Sequence, residues 1–321
     1  MSFQNQQINK STNHQSTMKQ YTHQLLMIRP VGFAFNAETA VNNSFQVPTN
    51  QQNVQQQALQ EFDNFVQKLQ SNGIDVTVVN DTPIPFTPDS IFPNNWISFH
   101  NNTICLYPMF AENRRLERKQ TVLDALQQKF DIHKTIDFTK FEENSIFNEG
   151  TGSMVLDREN KIAYACLSVR TQQPALEDFC QQMNYKPITF IANDVQGQPI
   201  YHTNVMMCVA HKFVVVCLEC VTNETERNLL KSTIENTGKE IIEINYHQMN
   251  HFAGNMLQVA NLKGEIFLIM SSQAYGVLTT QQITRIENYC TIIHSSLETI
   301  ETNGGGSARC MMAEVFLNKK S

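Results

Sequence analysis

No apolar run in this sequence approaches the roughly 20 residues that a helix needs to cross a bilayer, which argues against a membrane protein. The N-terminus lacks the charged-then-apolar layout of a secretory signal, so a cytoplasmic protein is expected. Basic residues are in deficit: 24 Lys and Arg face 30 Asp and Glu, a net charge of -6, with no basic stripe of the kind nucleic acid requires. Paired cysteines are missing too. The eight cysteines sit in apolar contexts, and the only close pair, Cys217 and Cys220 in "CLEC", has no second pair to complete a metal knuckle. They read as reduced core residues, and neither a metal nor an organic cofactor is implied. Tryptophan occurs once, and glycine only 12 times.

What is present is a chain of 321 residues, 41% hydrophobic and 17% charged, enough to bury a large core. Residues 1–22 are almost entirely Gln, Asn, Ser and Thr and read as a disordered tail, which leaves 23–321 as one domain. Within it a unit recurs. Strand candidates at 95–99 and 103–108 flank a turn at "HNN" and precede an amphipathic helix over 112–129 and a strand at 132–137. The same order returns at 153–157, 161–167, 174–184 and "PITFIA", and again at 203–209, 213–218, 223–237 and "EIIEINY". A fourth copy runs through 255–260, 265–270, 279–292 and 296–301. The fifth is divided between the two termini: 25–31, the helix 56–72 and "IDVTVV", completed by 310–317. Five such units sharing one between the two ends describe a closed α/β propeller.

A ring has an axis, and the polar residues where each hairpin begins are spaced 53 to 55 residues apart: Asn95, Glu149, His202, Asn255 and Cys310. Equivalent positions in a ring converge. That phase brings a Cys, a His and a Glu together from three distant segments. An unperturbed thiol, with a pKa of about 8.5, is mostly protonated at neutral pH, so a nucleophilic cysteine needs a cation or a base beside it. His202 can serve as imidazolium or as the acid for a departing amine, and Glu149 can orient it or bind a substrate N–H. Three of the twelve glycines, Gly304 to Gly306, stand just before Cys310, where they are expected to let a substrate approach the backbone closely. Asn95 and Asn204 add uncharged donors and acceptors.

The segments "PDSIFPNNW" (88–96), "NEGTGSM" (148–154), "YHTN" (201–204) and "NGGGSARC" (303–310) together resemble the guanidine-modifying, or pentein, superfamily. Its members include arginine deiminase, dimethylarginine dimethylaminohydrolase and the amidinotransferases. The resemblance implies a five-bladed α/β propeller of ββαβ units with Cys310 as nucleophile, His202 as general acid/base and Glu149 as its carboxylate partner. It also implies that Asp89 lies near a substrate's α-amino group, and that Arg114 and Arg170 hold its α-carboxylate. Arg115 competes with Arg114 for that role, because either can belong to the solvated face of "ENRRLERK".

The sequence departs from the superfamily where acidic residues normally meet a guanidinium. It carries Asn94-Asn95, Glu149-Gly150-Thr151-Gly152 and His202-Thr203-Asn204 at those places. Amides suit a neutral ureido group, and the sequence is most similar to the citrulline-utilising hydrolase branch, as "MIRPVGFAFNAETAVNNSFQ" also indicates. The expected reaction is hydrolysis of L-citrulline to ornithine, ammonia and carbon dioxide through a covalent cysteine intermediate. The alternatives are an arginine deiminase or dimethylarginine dimethylaminohydrolase activity, and a non-catalytic amino-acid-binding protein of the same fold. An amidinotransferase lacks a marked second acceptor site. A papain-like hydrolase would need a long helix after Cys310. The expected partner is a free amino acid, with a homodimer left open.

Overall fold

Five three-stranded sheets, each an antiparallel pair with a third strand added in parallel, succeed one another around a ring in the computed structural model, which describes residues 18–48 and 53–320. In the first blade β1 (Gln24–Arg29) leads to α1 (Val54–Ser71) and returns in β2 (Asp75–Asn80), parallel to β1. Next come β3 (Ile97–His100), β4 (Thr103–Leu106), α2 (Gln120–Lys129) and β5 (Lys134–Asp137). The third blade is β6 (Val155–Asp157), β7 (Ile162–Cys166), α3 (Gln173–Met183) and β8 (Lys186–Phe190). The fourth is β9 (Met207–Val209), β10 (Phe213–Val216), α4 (Glu224–Asn236) and β11 (Glu240–Glu243). The fifth is β12 (Leu257–Ala260), β13 (Ile266–Ser271), α5 (Thr280–Glu287) and β14 (Thr291–Ser295). Then β15 (Ala313–Glu314) pairs antiparallel with β1, so the first blade is built from both N- and C-terminal segments.

Local chemistry explains the elements. The β3–β4 hairpin turns on Asn101 and Asn102, both at positive φ, the residue type that tolerates the two left-handed positions of a tight hairpin. The helix α1 buries Ala58, Phe62, Phe65, Val66 and Leu69 along one stripe, with polar residues on its other face. The Asn223 side chain accepts from the Glu226 N–H and caps α4.

Several expectations are corrected. Residues 298–301 of the segment expected as a strand are helical, part of Glu298–Gly304, and the strand of that blade is instead the β-branched run "TIIHS", paired in parallel with β13. The helix before it stops at Glu287. The helix expected over 112–129 is broken into Glu112–Arg115 and α2, because Lys119 takes an extended backbone and sends its ammonium to Asp81, Thr82, Pro85 and Thr87. The closing strand is two residues long. Most of the expected tail lies outside the described residues, but Gln20 is buried: its amide donates to the Leu156 and Val209 carbonyls and accepts from the Arg158 N–H, bridging β6 and β9. Among the described residues no helix is long and apolar enough to cross a membrane.

The hydrophobic core runs round the ring between helices and sheets, while the axis is polar. Beneath Cys310, the Glu314 carboxylate accepts from Arg309 at 2.8 Å and lies 3.5 Å from Arg158. All three are buried. Removing the one anion from two buried cations is strongly unfavourable, so Glu314→Ala should lower unfolding free energy by about 3–5 kcal/mol in urea titration. A loss below about 1 kcal/mol would contradict this account of the axis.

Candidate active site

Each innermost strand is entered through a tight turn, and the five in-phase residues occupy those turns. Asn95 closes the 3-10 turn before β3; Glu149 and His202 are the N-caps of single helical turns, Gly150–Ser153 and Thr203–Met206, that precede β6 and β9. Asn255 and Cys310 lie in the loops that lead into β12 and β15 respectively. The strands expected to start at 95, 153, 203 and 255 therefore begin two to four residues later. These turns aim the side chains at the axis.

Two clusters result. His202 Nε2 meets Glu149 Oε2 at 2.7 Å, and Glu149 Oε1 accepts from the Phe110 N–H at 2.9 Å. Cys310 Sγ receives the amides of Asn255 at 3.3 Å and Asn204 at 3.5 Å, and the Asn255 oxygen accepts from the Arg309 N–H, which steadies the turn that carries the thiol. Cys310, His202, Asn95, Asp89, Arg114 and Arg170 all line one cavity of about 20 Å³. That is room for about one water.

Burial would raise the Glu149 carboxyl, but Arg170, 3.7 Å away, and His202 outweigh it and hold the pKa down to about 2. For His202, burial is the largest influence and lowers the pKa to about 4 despite the pull of Glu149. The imidazole is thus neutral at pH 7. An ionised carboxylate can only accept, so Nε2 carries the proton and Nδ1 holds the free lone pair. Of the two roles open to His202, a proton acceptor fits this state better than a standing imidazolium.

Arg114, not Arg115, faces the cavity. Arg114 is 3% exposed, whereas Arg115 is only partly buried and donates to the Met109 and Phe110 carbonyls. Asp89 is buried, accepts from Asn36 and Thr39, and keeps Oδ1 without a partner among the described residues. Arg170 donates to the Thr39 carbonyl and to Asn42, and its guanidinium lies 4.9 Å from the Tyr201 ring centroid. Asn94 and Asn204 are buried beside the cavity without lining it.

Gly304, Gly305 and Gly306 line the cavity beside Cys310, and they also have a packing role that was not expected. A Cβ on Gly304 or Gly306 would strike the Phe92 ring at 2.9 Å, and one on Gly305, at φ +63, would collide with the Asn43 amide. They admit protein side chains, and the left-handed Gly305 ends the helix Glu298–Gly304. The close approach that concerns the site is at Gly152, where a Cβ would collide with Asn95 Nδ2 and lie 2.8 Å from His202 Nδ1.

Sequence patterns missed Glu117, buried against Arg114, and the segment 36–46. That segment closes the mouth of the cavity: Asn36 and Thr39 bond Asp89, Thr39 and Asn42 bond Arg170, and Asn43 and Gln46 bond the Gly305 and Asn303 carbonyls. No periodicity links it to the site, although its density of Asn, Thr and Gln was a signal of unusual polarity. A molecule the size of an amino acid would require these contacts to part.

Residues 29–317 match the family model described as N,N dimethylarginine dimethylhydrolase, eukaryotic. By sequence comparison no curated protein matches. Among solved structures, the substrate-bound N-terminal domain of ArgZ, an arginine dihydrolase from the ornithine–ammonia cycle in cyanobacteria, aligns with a TM-score of 0.72 at 15% identity, covering 92% of this chain and 99% of that one. AgrE in complex with L-arginine aligns at 0.72 and 14% identity, over 93% of this chain and 41% of that one. A dimethylarginine dimethylaminohydrolase adduct with S-methyl-L-thiocitrulline aligns at 0.61 and 12% identity, over 92% and 99%. The protein spans 40% of the length of the longer ArgZ structure. At these identities the likeness concerns the fold, the pentein α/β propeller.

Gly152→Ala should leave the protein folded by circular dichroism yet lower kcat/KM by at least about 100-fold, since the methyl displaces His202 or Asn95; a loss under threefold would contradict the packing. Both pKa shifts leave the folded state with fewer protons than the unfolded one, from 6.5 to about 4 for His202 and from 4.5 to about 2 for Glu149, so stability should fall as pH drops through these windows. Urea midpoints measured from pH 7 to pH 3 should show that fall; midpoints that stay constant over that range would contradict it.

Proposed function

The chain belongs to the N,N-dimethylarginine dimethylhydrolase family of the pentein superfamily, and on that footing we propose that it is a cysteine-dependent hydrolase that cleaves a C–N bond at the reactive end of a free amino acid, with L-citrulline as the favoured substrate. The observation that carries the reading is the character of the reacting end. Around Cys310 and His202 stand the amides of Asn95, Asn204 and Asn255; Glu149 is already balanced by Arg170 and bonded to His202, and Asp89, the carboxylate that lines the cavity, is taken in this reading by the α-ammonium. A guanidinium would add a buried cation with neither of these carboxylates left to meet it. A ureido group adds no charge and offers both an acceptor and donors.

In the proposed reaction the Cys310 thiol gives its proton to His202 Nδ1, and the sulfur attacks the ureido carbon. The two amides that reach Sγ stabilise the developing thiolate. As one C–N bond breaks, the imidazolium returns the proton to the departing amine, and Glu149 stabilises the ring while it is charged. The thiocarbamate left on sulfur is hydrolysed by a water that His202 deprotonates, and the carbamate released decomposes to carbon dioxide and an amine. Ornithine, ammonia and carbon dioxide result, with one water consumed overall. The α-ammonium goes to Asp89, whose Oδ1 is unpartnered among the described residues, and the α-carboxylate to Arg170 and Arg114.

A second reading, arginine as substrate, draws on the ionised state of Glu149 and on the arginine dihydrolase and L-arginine complex among the structural neighbours. Purified protein supplied separately with citrulline, arginine, agmatine and dimethylarginine, with ammonia, ornithine and citrulline measured, separates the readings. The expected result is a higher kcat/KM for citrulline, abolished in Cys310→Ala. Faster turnover of arginine would sink the ureido reading, and turnover that survives Cys310→Ala would sink the covalent one.

A further inference from the structure

We infer that Glu117 and Arg114 form an orientation lock that decides which end of the Asn95 amide faces the cavity, and so set a preference for a substrate group that accepts a hydrogen bond. This deepens the ureido reading and rests on it. Glu117 is a positioning residue, buried three residues beyond Arg114 in the interruption between Glu112–Arg115 and α2. Both of its carboxylate oxygens are engaged: Arg114 Nε donates to Oε1 at 2.8 Å and Nη2 to Oε2 at 3.0 Å. Such a bidentate fork fixes the plane of the guanidinium. Arg114 Nη2 also reaches the Phe92 carbonyl at 3.3 Å, and the remaining nitrogen, Nη1, points at Asn95 Oδ1, 2.8 Å away.

A guanidinium has donors only, so the atom of Asn95 that faces it must be the oxygen. The amide nitrogen is thereby turned the other way. Asn95 Nδ2 is buried there with no partner among the described residues, and it borders the same small volume beside Gly152 as His202 Nδ1. The other two amides near the thiol direct their nitrogens at sulfur. Asn95 is left as the amide donor available to a substrate. A ureido oxygen, and the charge that grows on it during attack, can accept that hydrogen bond, whereas a guanidinium would oppose N–H to N–H. With the lock released the amide can turn over, present Oδ1 and accept from a guanidinium instead.

The test compares kcat/KM for citrulline and for arginine in the unaltered protein, Glu117→Gln, Asn95→Asp, Asn95→Ser and Glu117→Gln/Asn95→Ser. Asn95→Asp should move the citrulline-to-arginine ratio toward arginine by at least about 100-fold, and Glu117→Gln by about tenfold. In the Asn95→Ser background, which has no amide to orient, Glu117→Gln should leave the ratio unchanged. The lock is overturned if Glu117→Gln lowers both substrates equally, or if its effect on the ratio persists with Asn95→Ser. If Glu117→Gln does not fold, Arg114→Gln/Glu117→Gln removes both charges together and should shift the ratio in the same direction; an unshifted ratio overturns the lock. An unaltered protein that prefers arginine defeats the ureido reading, while the lock is judged separately by the coupling between positions 117 and 95.

Discussion

A ring of blades has to be closed, and here closure rests on the antiparallel pairing of the two residues of β15 with β1. So short a ladder supplies few hydrogen bonds, and the junction depends on what surrounds it. Thr22 and Gln24 reach the Val315 and Leu317 carbonyls, and Glu314 sits between Arg309 and Arg158 on the axis. Because Cys310 lies in the turn that enters β15, the same pairing that seals the ring also sets the height of the thiol. Fold closure and site geometry share one element.

Around that axis the charges are arranged in pairs rather than as a field. Glu149 is matched by Arg170 and bonded to His202, and Glu117 by Arg114. Each pair is buried, and each would be costly to break from one side. Besides Asp89, what the pairs leave uncovered is a small set of uncharged groups: the thiol, one imidazole nitrogen and a row of amides. In the proposed reading, this balance at the reacting end suits a substrate group that brings no net charge there.

Much of this arrangement could be read before any coordinates. The spacing of 53 to 55 residues located all five axial positions, because a ring forces equivalent residues to converge whatever their side chains are. Helices with a clear apolar stripe, such as α1 and α4, fell where hydrophobic periodicity put them. The failures were also physical. "SLETIE" (296–301) was expected as a strand but is helical from Glu298, since the β-branched "TIIHS" before it takes the place beside β13. Glu117 looked like part of a solvated charged face because nothing local shows that the helix breaks at Lys119. The segment 36–46 comes from the first blade and bonds residues that belong to other parts of the ring, a tertiary fact with no periodic trace.

In the proposed chemistry Cys310 attacks a carbonyl-bearing carbon and carries it as a thiocarbamate. Intact-protein mass spectrometry of samples acid-quenched during citrulline turnover, with peptide mapping, tests this most directly. The expected result is an adduct on Cys310 that retains the substrate's carbonyl and is absent in Cys310→Ala. An adduct on another cysteine, or steady turnover of citrulline in a Cys310→Ala protein, would contradict it.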